Sequence, residues 1–249
     1  MQKGILSGIY QANTTKFYIS ILITMLFIFI GSTENLIRAI RQQSPLPTGY
    51  NISFVKYALN TAAVVSFLPV IAVLPFSGVY VDDIKSKFAR FYLIRTNYEH
   101  YLWSRILVCF LCGGAVILLG SLLSWGISAL LFMPMEMAAE KGAVSTASIW
   151  PILVLLFLTG GLWSVVGMAM STFMESKYIA YASPFVIYYL LVILCERYFP
   201  DAYLLYPPNW TNPDAWPYGA LGATVFLLEL TLVFSILFVI RAGRRLREL

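Results

Sequence analysis

Hydrophobic runs recur along the whole of this 249-residue chain, and about twenty apolar residues is the length an α-helix needs to cross a bilayer. Inside hydrocarbon no water satisfies the backbone, so a chain built this way is confined to helices or a closed barrel. Barrel strands alternate apolar and polar residues, and no stretch here does. The sequence therefore predicts an all-α polytopic membrane protein. Composition agrees: 59% of residues are hydrophobic and 12% charged, against about half and a quarter in soluble domains. The mean hydropathy is +0.77.

Six spans are predicted, at 17–31, 58–79, 104–132, 150–174, 179–195 and 219–240, forming one domain over 1–249. The first run is short and extends into flanking turns such as 32–40. Lys3 and Lys16 precede it, as in a signal peptide, but "GSTENLIRAI" offers no small-residue cleavage site. An uncleaved first span is expected. With the N-terminus inside, 12 of the 17 Lys and Arg residues fall on the inner side. That bias puts both termini in the cytoplasm. The net charge of +5 is then a topology signal. The tail "RAGRRLREL" is too short to argue a nucleic-acid footprint, and no nucleic-acid partner is expected.

Cys109 and Cys112 form a C-x-x-C, but "CFLC" lies within the third span and His100, the single histidine, lies in the preceding loop. Metal sites of that spacing need further ligands, so two small buried side chains are expected and no metal.

The most charged stretch of the chain is "VDDIKSKFARFYLIRTNYEHYLWSR" at 81–105, between spans two and three. Asp82 is placed to cap a helix whose N-terminus also favours Asp83. Ile84, Phe88, Phe91 and Tyr92 then recur on one helical face, with Lys85, Lys87 and Arg90 largely on others and Arg95 near the end. Thr96 and Asn97 break this helix, and Asn97 can cap the next. A short amphipathic helix over 82–95 is predicted, its aromatic face turned to bilayer, bundle or a partner protein. An interfacial helix that only anchors the loop remains the plainer alternative. At 1–16, Ile5, Leu6, Ile9 and Tyr10 form an apolar stripe that predicts a second interfacial helix.

Before span six, "ERYFPDAYLLYPPNWTNPDAWPYG" contains five prolines, which forbid a long regular helix. Its aromatic residues suit a belt at the water–lipid boundary, or else a lid over an exit path. Within the spans, Pro69 and Pro75 predict a kink or hinge in span two. Gly160, Ser164, Gly167 and Ser171 put four small residues on one face of span four, a packing seam for another helix. Glu229, in "FLLELTLVF", stands near the middle of span six. A charge at that depth costs about 2.5–3.5 kcal/mol on insertion scales. It is therefore read as part of a substrate path, together with Asn60, or as a protonated acid bonded to Thr231 or to a tyrosine.

These residues narrow the function classes. No histidine pair for a metalloprotease, no base beside a nucleophile and no paired intramembrane acids are present. The chain is not expected to be an enzyme. A secondary transporter or accessory membrane protein using Glu229 needs no second chain, but such transporters commonly show paired broken helices from internal repeats. A subunit driven by another chain's ATPase fits the absence of any G-x-x-x-x-G-K-[ST] and the amphipathic helix at 82–95.

The whole chain resembles a permease subunit of the ABC-2 class of ATP-driven transporters. The N-terminal interfacial helix, the six spans with both ends inside, "VDDIKSKFARFYLIRTNYEHYLWSRILV" and "YLLYPPNWTNPDAWPYG" carry that resemblance. It is architectural, because the family has no short invariant signature. The chain also departs from the family in having "IRTNYEH" where a turn with a small residue and proline commonly follows. The resemblance implies that Asp82, Asp83, Ile84, Lys85, Lys87, Phe88, Arg90, Phe91, Tyr92 and Arg95 form a coupling helix seated in a groove of an ATPase. It further implies two permeases facing each other, identical rather than paralogous. ATP and magnesium would sit on the partner ATPase and no cofactor in this chain. The compact six-span form is similar to bacterial exporters of drugs, lipids and membrane-active peptides such as phenol-soluble modulins, which implies the cell membrane as location.

Overall fold

The computed structural model describes residues 8, 10–12, 14–41, 46, 49–86, 98–136, 149–174 and 176–247. Among them the helices are α1 (Thr15–Gly31), α2 (Thr33–Arg41), α3 (Tyr50–Leu59), α4 (Ala62–Val73), α5 (Val79–Lys85), α6 (Tyr98–Phe132), α7 (Trp150–Met174), α8 (Lys177–Arg197) and α9 (Gly219–Arg247). Three 3-10 turns, Tyr203–Leu205, Pro207–Thr211 and Pro213–Ala215, lie between α8 and α9. The predicted interfacial helix at 1–16 lies mostly outside the described residues, though 10–12 are helical.

Helices α6, α7, α8 and α9 are each long and apolar enough to cross a membrane. Only α7 matches a predicted span at both ends; α6 starts earlier, at Tyr98, and α9 runs on to Arg247. The first predicted span is the 17-residue α1, at the short end of the usual range of about 17–25 residues. The second, predicted at 58–79, is not one helix: it takes in the end of α3, all of α4, the turn at 74–78 and the first residue of α5. α3 and α4 pass the test only together, and they meet at 69°. Six predicted spans thus correspond to four unbroken helices, one bent pair and one short helix.

The bend falls at Asn60–Thr61, whereas the sequence predicted a kink at the prolines. The Asn60 amide is shared between the Lys56 and Tyr57 carbonyls, which tightens the last turn of α3. Thr61 is extended (φ −68°, ψ 138°), and its hydroxyl donates to the Ala58 carbonyl at 2.6 Å. The hydroxyl takes over an acceptor freed by the break, and a new helix starts at Ala62. Pro69 continues inside α4, and Pro75 falls in the turn at 74–78.

α7 is the central element. Of its most apolar stretch 89% is buried inside the bundle, against 56% for α6 and 22% each for α8 and α9. It packs against α4, α6, α8 and α9. A helix enclosed in this way needs small residues where neighbours press closest. A Cβ on Gly160 would lie 2.7 Å from the Gly113 carbonyl oxygen of α6. A Cβ on Gly167 would lie 2.5 Å from the Ala180 carbonyl oxygen of α8. The predicted small-residue face therefore serves two neighbours. Ser164 accompanies Gly160 toward α6: its carbonyl accepts from the Ser77 hydroxyl at 3.0 Å and the Cys109 thiol at 3.3 Å. Ser171 is buried, its hydroxyl donating to the Met168 carbonyl at 2.7 Å.

At one end of the bundle, the crown, Glu136 follows the 3-10 turn Met133–Met135 at the end of α6. Its carboxylate accepts the Gly49 amide at 3.0 Å and the Asn51 amide at 2.9 Å. It thereby caps the N-terminus of α3, where an anion is favoured by the unpaired amides and the helix dipole. At the other end, the base, a second apolar core gathers Phe76, Tyr80, Tyr101, Leu102, Phe238 and Leu246.

Replacing Gly160 with Leu should force α6 and α7 apart and destabilise the protein by about 1–3 kcal/mol or more, the usual cost of overpacking. Gly126 of α6 has nothing within 4 Å of an added Cβ, and Gly126→Leu should leave stability unchanged. Thermal unfolding of both variants in one detergent measures the difference, and equal midpoints would refute the close-contact role of Gly160.

Candidate functional site

The described part of the predicted coupling segment is rooted at the base in a way the sequence did not indicate. α5 starts at Val79, so Asp82 and Asp83 lie inside it and neither is its N-cap. The helix ends at Ser86, whose amide and hydroxyl both bond the Asp82 carbonyl, at 2.9 and 2.7 Å. Lys87, Phe88, Arg90, Phe91, Tyr92 and Arg95 lie outside the described residues. Ile84 is partly buried against the basal core, and Lys85 is exposed.

The two adjacent acids have opposite surroundings. Asp83 turns into the bundle, where its Oδ2 lies 2.6 Å from Arg105 Nη2 of α6 and accepts the Tyr101 hydroxyl at 2.6 Å. The side chains of this ion pair are only 7% and 6% exposed. Arg105 donates through Nη1 to Gln11 Oε1 at 2.7 Å, and its guanidinium lies 5.3 Å from the Tyr101 ring and 5.9 Å from that of Phe76. Burial pushes the Asp83 carboxyl above its ordinary range, while Arg105 and the Tyr101 hydroxyl pull it back. Asp82 faces outward and pairs with Lys177 at the start of α8, both side chains about half exposed at 53% and 42%. Thus α5 is tied to α6 on one side and α8 on the other. Near the same end, Arg245 of α9 donates to the Thr172 carbonyl at 2.9 Å, and Arg241 lies 4.4 Å from the Phe173 ring.

The crown holds the substrate-path candidates, and it keeps them apart. Asn60 lines a cavity of about 500 Å³ with Tyr188, Tyr189, Glu196 and Tyr206, within the usual small-molecule range of about 300–1,000 Å³. Glu229 lines a second, of about 600 Å³, also in that range. The aromatic segment between α8 and α9 lines both, with Tyr206 and Pro208 in the first and Tyr203, Leu204 and Trp216 in the second. It is not simply an outer belt. Trp210 turns inward, stacked on Trp163 of α7 with centroids 5.5 Å apart, and its Nε1 donates to the Leu204 carbonyl at 2.9 Å. Trp216 packs on Phe226 at 5.3 Å and donates to the Asn209 carbonyl at 2.9 Å. Tyr198, Phe199, Tyr203 and Tyr218 are the exposed aromatics of the segment.

Glu229 is exposed on α9 and has no ion pair or hydrogen bond among the described residues. The predicted bond to Thr231 is not made, because that hydroxyl donates to the Leu227 carbonyl at 2.7 Å. Glu229 lies ten residues beyond Gly219, about 15 Å along the axis at 1.5 Å per residue. Cys109 and Cys112 are buried in α6. Among the described residues no group of three or more His, Cys, Asp or Glu side chains is placed to hold a metal ion.

Asp83→Asn should destabilise the protein by about 3–5 kcal/mol, because it leaves the Arg105 charge buried without its partner. Asp82→Asn should cost about 0–1 kcal/mol, the range of exposed pairs. The Asp83→Leu/Arg105→Leu double variant should be more stable than Asp83→Leu alone. Chemical or thermal unfolding of the four variants in detergent provides the check, and equal losses for Asp82→Asn and Asp83→Asn would contradict the assignment.

Comparison with protein-family models, curated proteins and solved structures finds no match to this chain.

Proposed function

We propose that this chain is the membrane-spanning permease subunit of an ATP-driven exporter of the ABC-2 class. It would move a hydrophobic or amphipathic substrate, whether peptide toxin, drug or lipid, out of a bacterial cell. In this reading α1, the bent α3–α4 pair, α6, α7, α8 and α9 are the six spans, and the base faces the cytoplasm with both termini. ATP is hydrolysed on a separate chain, and two copies of this permease face each other.

The observation that supports this reading best is the anchoring of the two helices that flank residues 87–97. A part that receives a push from a soluble motor has to be anchored rigidly at both ends. α5 precedes these residues and α6 follows them, and the two helices are joined by the buried Asp83–Arg105 pair. The Asp82–Lys177 contact gives α5 a second attachment, to α8. A displacement of this segment would then be delivered to two spans.

A secondary transporter without an ATPase is the competing reading, favoured by the unpartnered carboxylate of Glu229. The two differ in what accompanies the chain. A tagged copy mildly solubilised from its native membrane should bring down a P-loop ATPase in stoichiometric amount. Phe88→Glu should reduce that recovery at least tenfold while the helical circular dichroism stays unchanged. A chain that emerges alone, under crosslinking as well, would falsify the permease reading.

A further inference from the structure

Glu229 and the concave surface around it combine three properties that together specify a ligand. The carboxylate has no cationic partner among the described residues. The walls are aromatic and aliphatic: Tyr203, Trp216, Tyr218, Val225 and Phe226 line the groove with it. Its volume of about 600 Å³ falls within the range of about 300–1,000 Å³ typical of small-molecule sites. It also opens along the exposed apolar face of α9, where Leu221, Val225, Leu228 and Leu232 point away from the bundle.

We infer that this groove is a binding site for a drug-sized lipophilic organic cation, its charge beside Glu229 and its apolar body against Trp216 and Phe226. A cation in an aromatic-walled site gains from the ring faces as well as from the carboxylate. Coulomb attraction is also stronger there than in water because the surroundings are apolar. An anionic lipid headgroup is disfavoured by the same carboxylate. A whole amphipathic peptide helix, about 10–12 Å across with its side chains, exceeds the cavity. A second copy of the chain is a poorer occupant, since the stretches 17–31, 62–73, 108–132, 150–174, 178–196 and 219–240 contain no Lys or Arg, and Lys56 of α3 is the one such residue in the bent α3–α4 pair. As a substrate subsite the groove rests on the permease reading; as a binding site it stands on its own geometry.

The test uses the full-length protein in phosphatidylcholine nanodiscs and radiolabelled tetraphenylphosphonium, with empty discs subtracted. Tetraphenylborate, of matching size and opposite charge, is the competitor. Saturable binding of the phosphonium is expected, weakened at least tenfold by Glu229→Gln and unaffected by the borate. Val225→Trp, which fills the groove but keeps the carboxylate, should abolish it with a normal thermal midpoint. Unchanged binding in Glu229→Gln, or equal competition by the borate, overturns the site. So does efficient disulfide formation between two copies of Leu232→Cys in a protein that fails to bind the phosphonium, since α9 would then be a contact between copies. If the phosphonium binds as expected but no ATPase co-purifies, the site stands and the permease reading falls. If the ATPase co-purifies and Glu229→Gln binds normally, the permease reading stands and the site falls.

Discussion

The arrangement of the bundle depends on how closely α6 and α7 approach at Gly113 and Gly160. In lipid no hydrophobic force draws two apolar helices together, so association rests on van der Waals contact and a few polar bonds. α7 is enclosed by α4, α6, α8 and α9, and each neighbour can pack densely only where α7 presents a small side chain. The Gly113–Gly160 contact sets the α6–α7 distance, and the Gly167–Ala180 contact sets that of α8. Ser77, Cys109 and Ser164 add a buried polar knot beside the first of these. With α7 fixed, the base and the crown acquire defined positions.

What the sequence revealed and what it hid divide along physical lines. The boundaries of α7 were legible because its run carries no charged residue and is mostly apolar. The small-residue face was legible from spacings of three and four. That Gly160 and Ser164 serve one neighbour and Gly167 another was not, since a stripe on one helix says nothing about how many helices it meets. Pro69 and Pro75 predicted a kink within span two, and Pro75 does fall in the turn that follows α4. The sharper α3–α4 bend was not foreseen: it lies at Asn60–Thr61, where the Asn60 amide and the Thr61 hydroxyl bond carbonyls of the preceding turn.

The charged sites were harder to read. Asp83 was read only as an acid favoured at a helix N-terminus capped by Asp82. Its partner Arg105 is 22 residues on, in α6, and nothing local marks the pair. Glu136 was missed for a related reason: its partners are the backbone amides of Gly49 and Asn51, which carry no side-chain signature. Trp210 and Trp216 resembled a boundary belt by composition. Their inward turn follows from tertiary stacking on Trp163 and Phe226. Glu229 was singled out as a charge in an apolar run; that it and Asn60 line different cavities appears only in three dimensions.

The Glu136 cap has a mechanical meaning when set beside Arg105. Arg105 lies in α6, and Glu136 is joined to its far end by the turn Met133–Met135. α6 has 35 residues and is about 52 Å long at 1.5 Å per residue. Near one end it is gripped by Asp83, and past the other Glu136 holds the first amides of α3. A tilt of about 5° about the midpoint moves each end by roughly 2 Å in opposite senses for a helix of this length. That is comparable to the shifts of about 1–2 Å by which packed helices transmit conformational change. In the permease reading the α6 rod would act as a lever with a load at each tip. Motion at the facing ends of α5 and α6 would return at the crown as motion of α3, which is already jointed to α4 at Asn60.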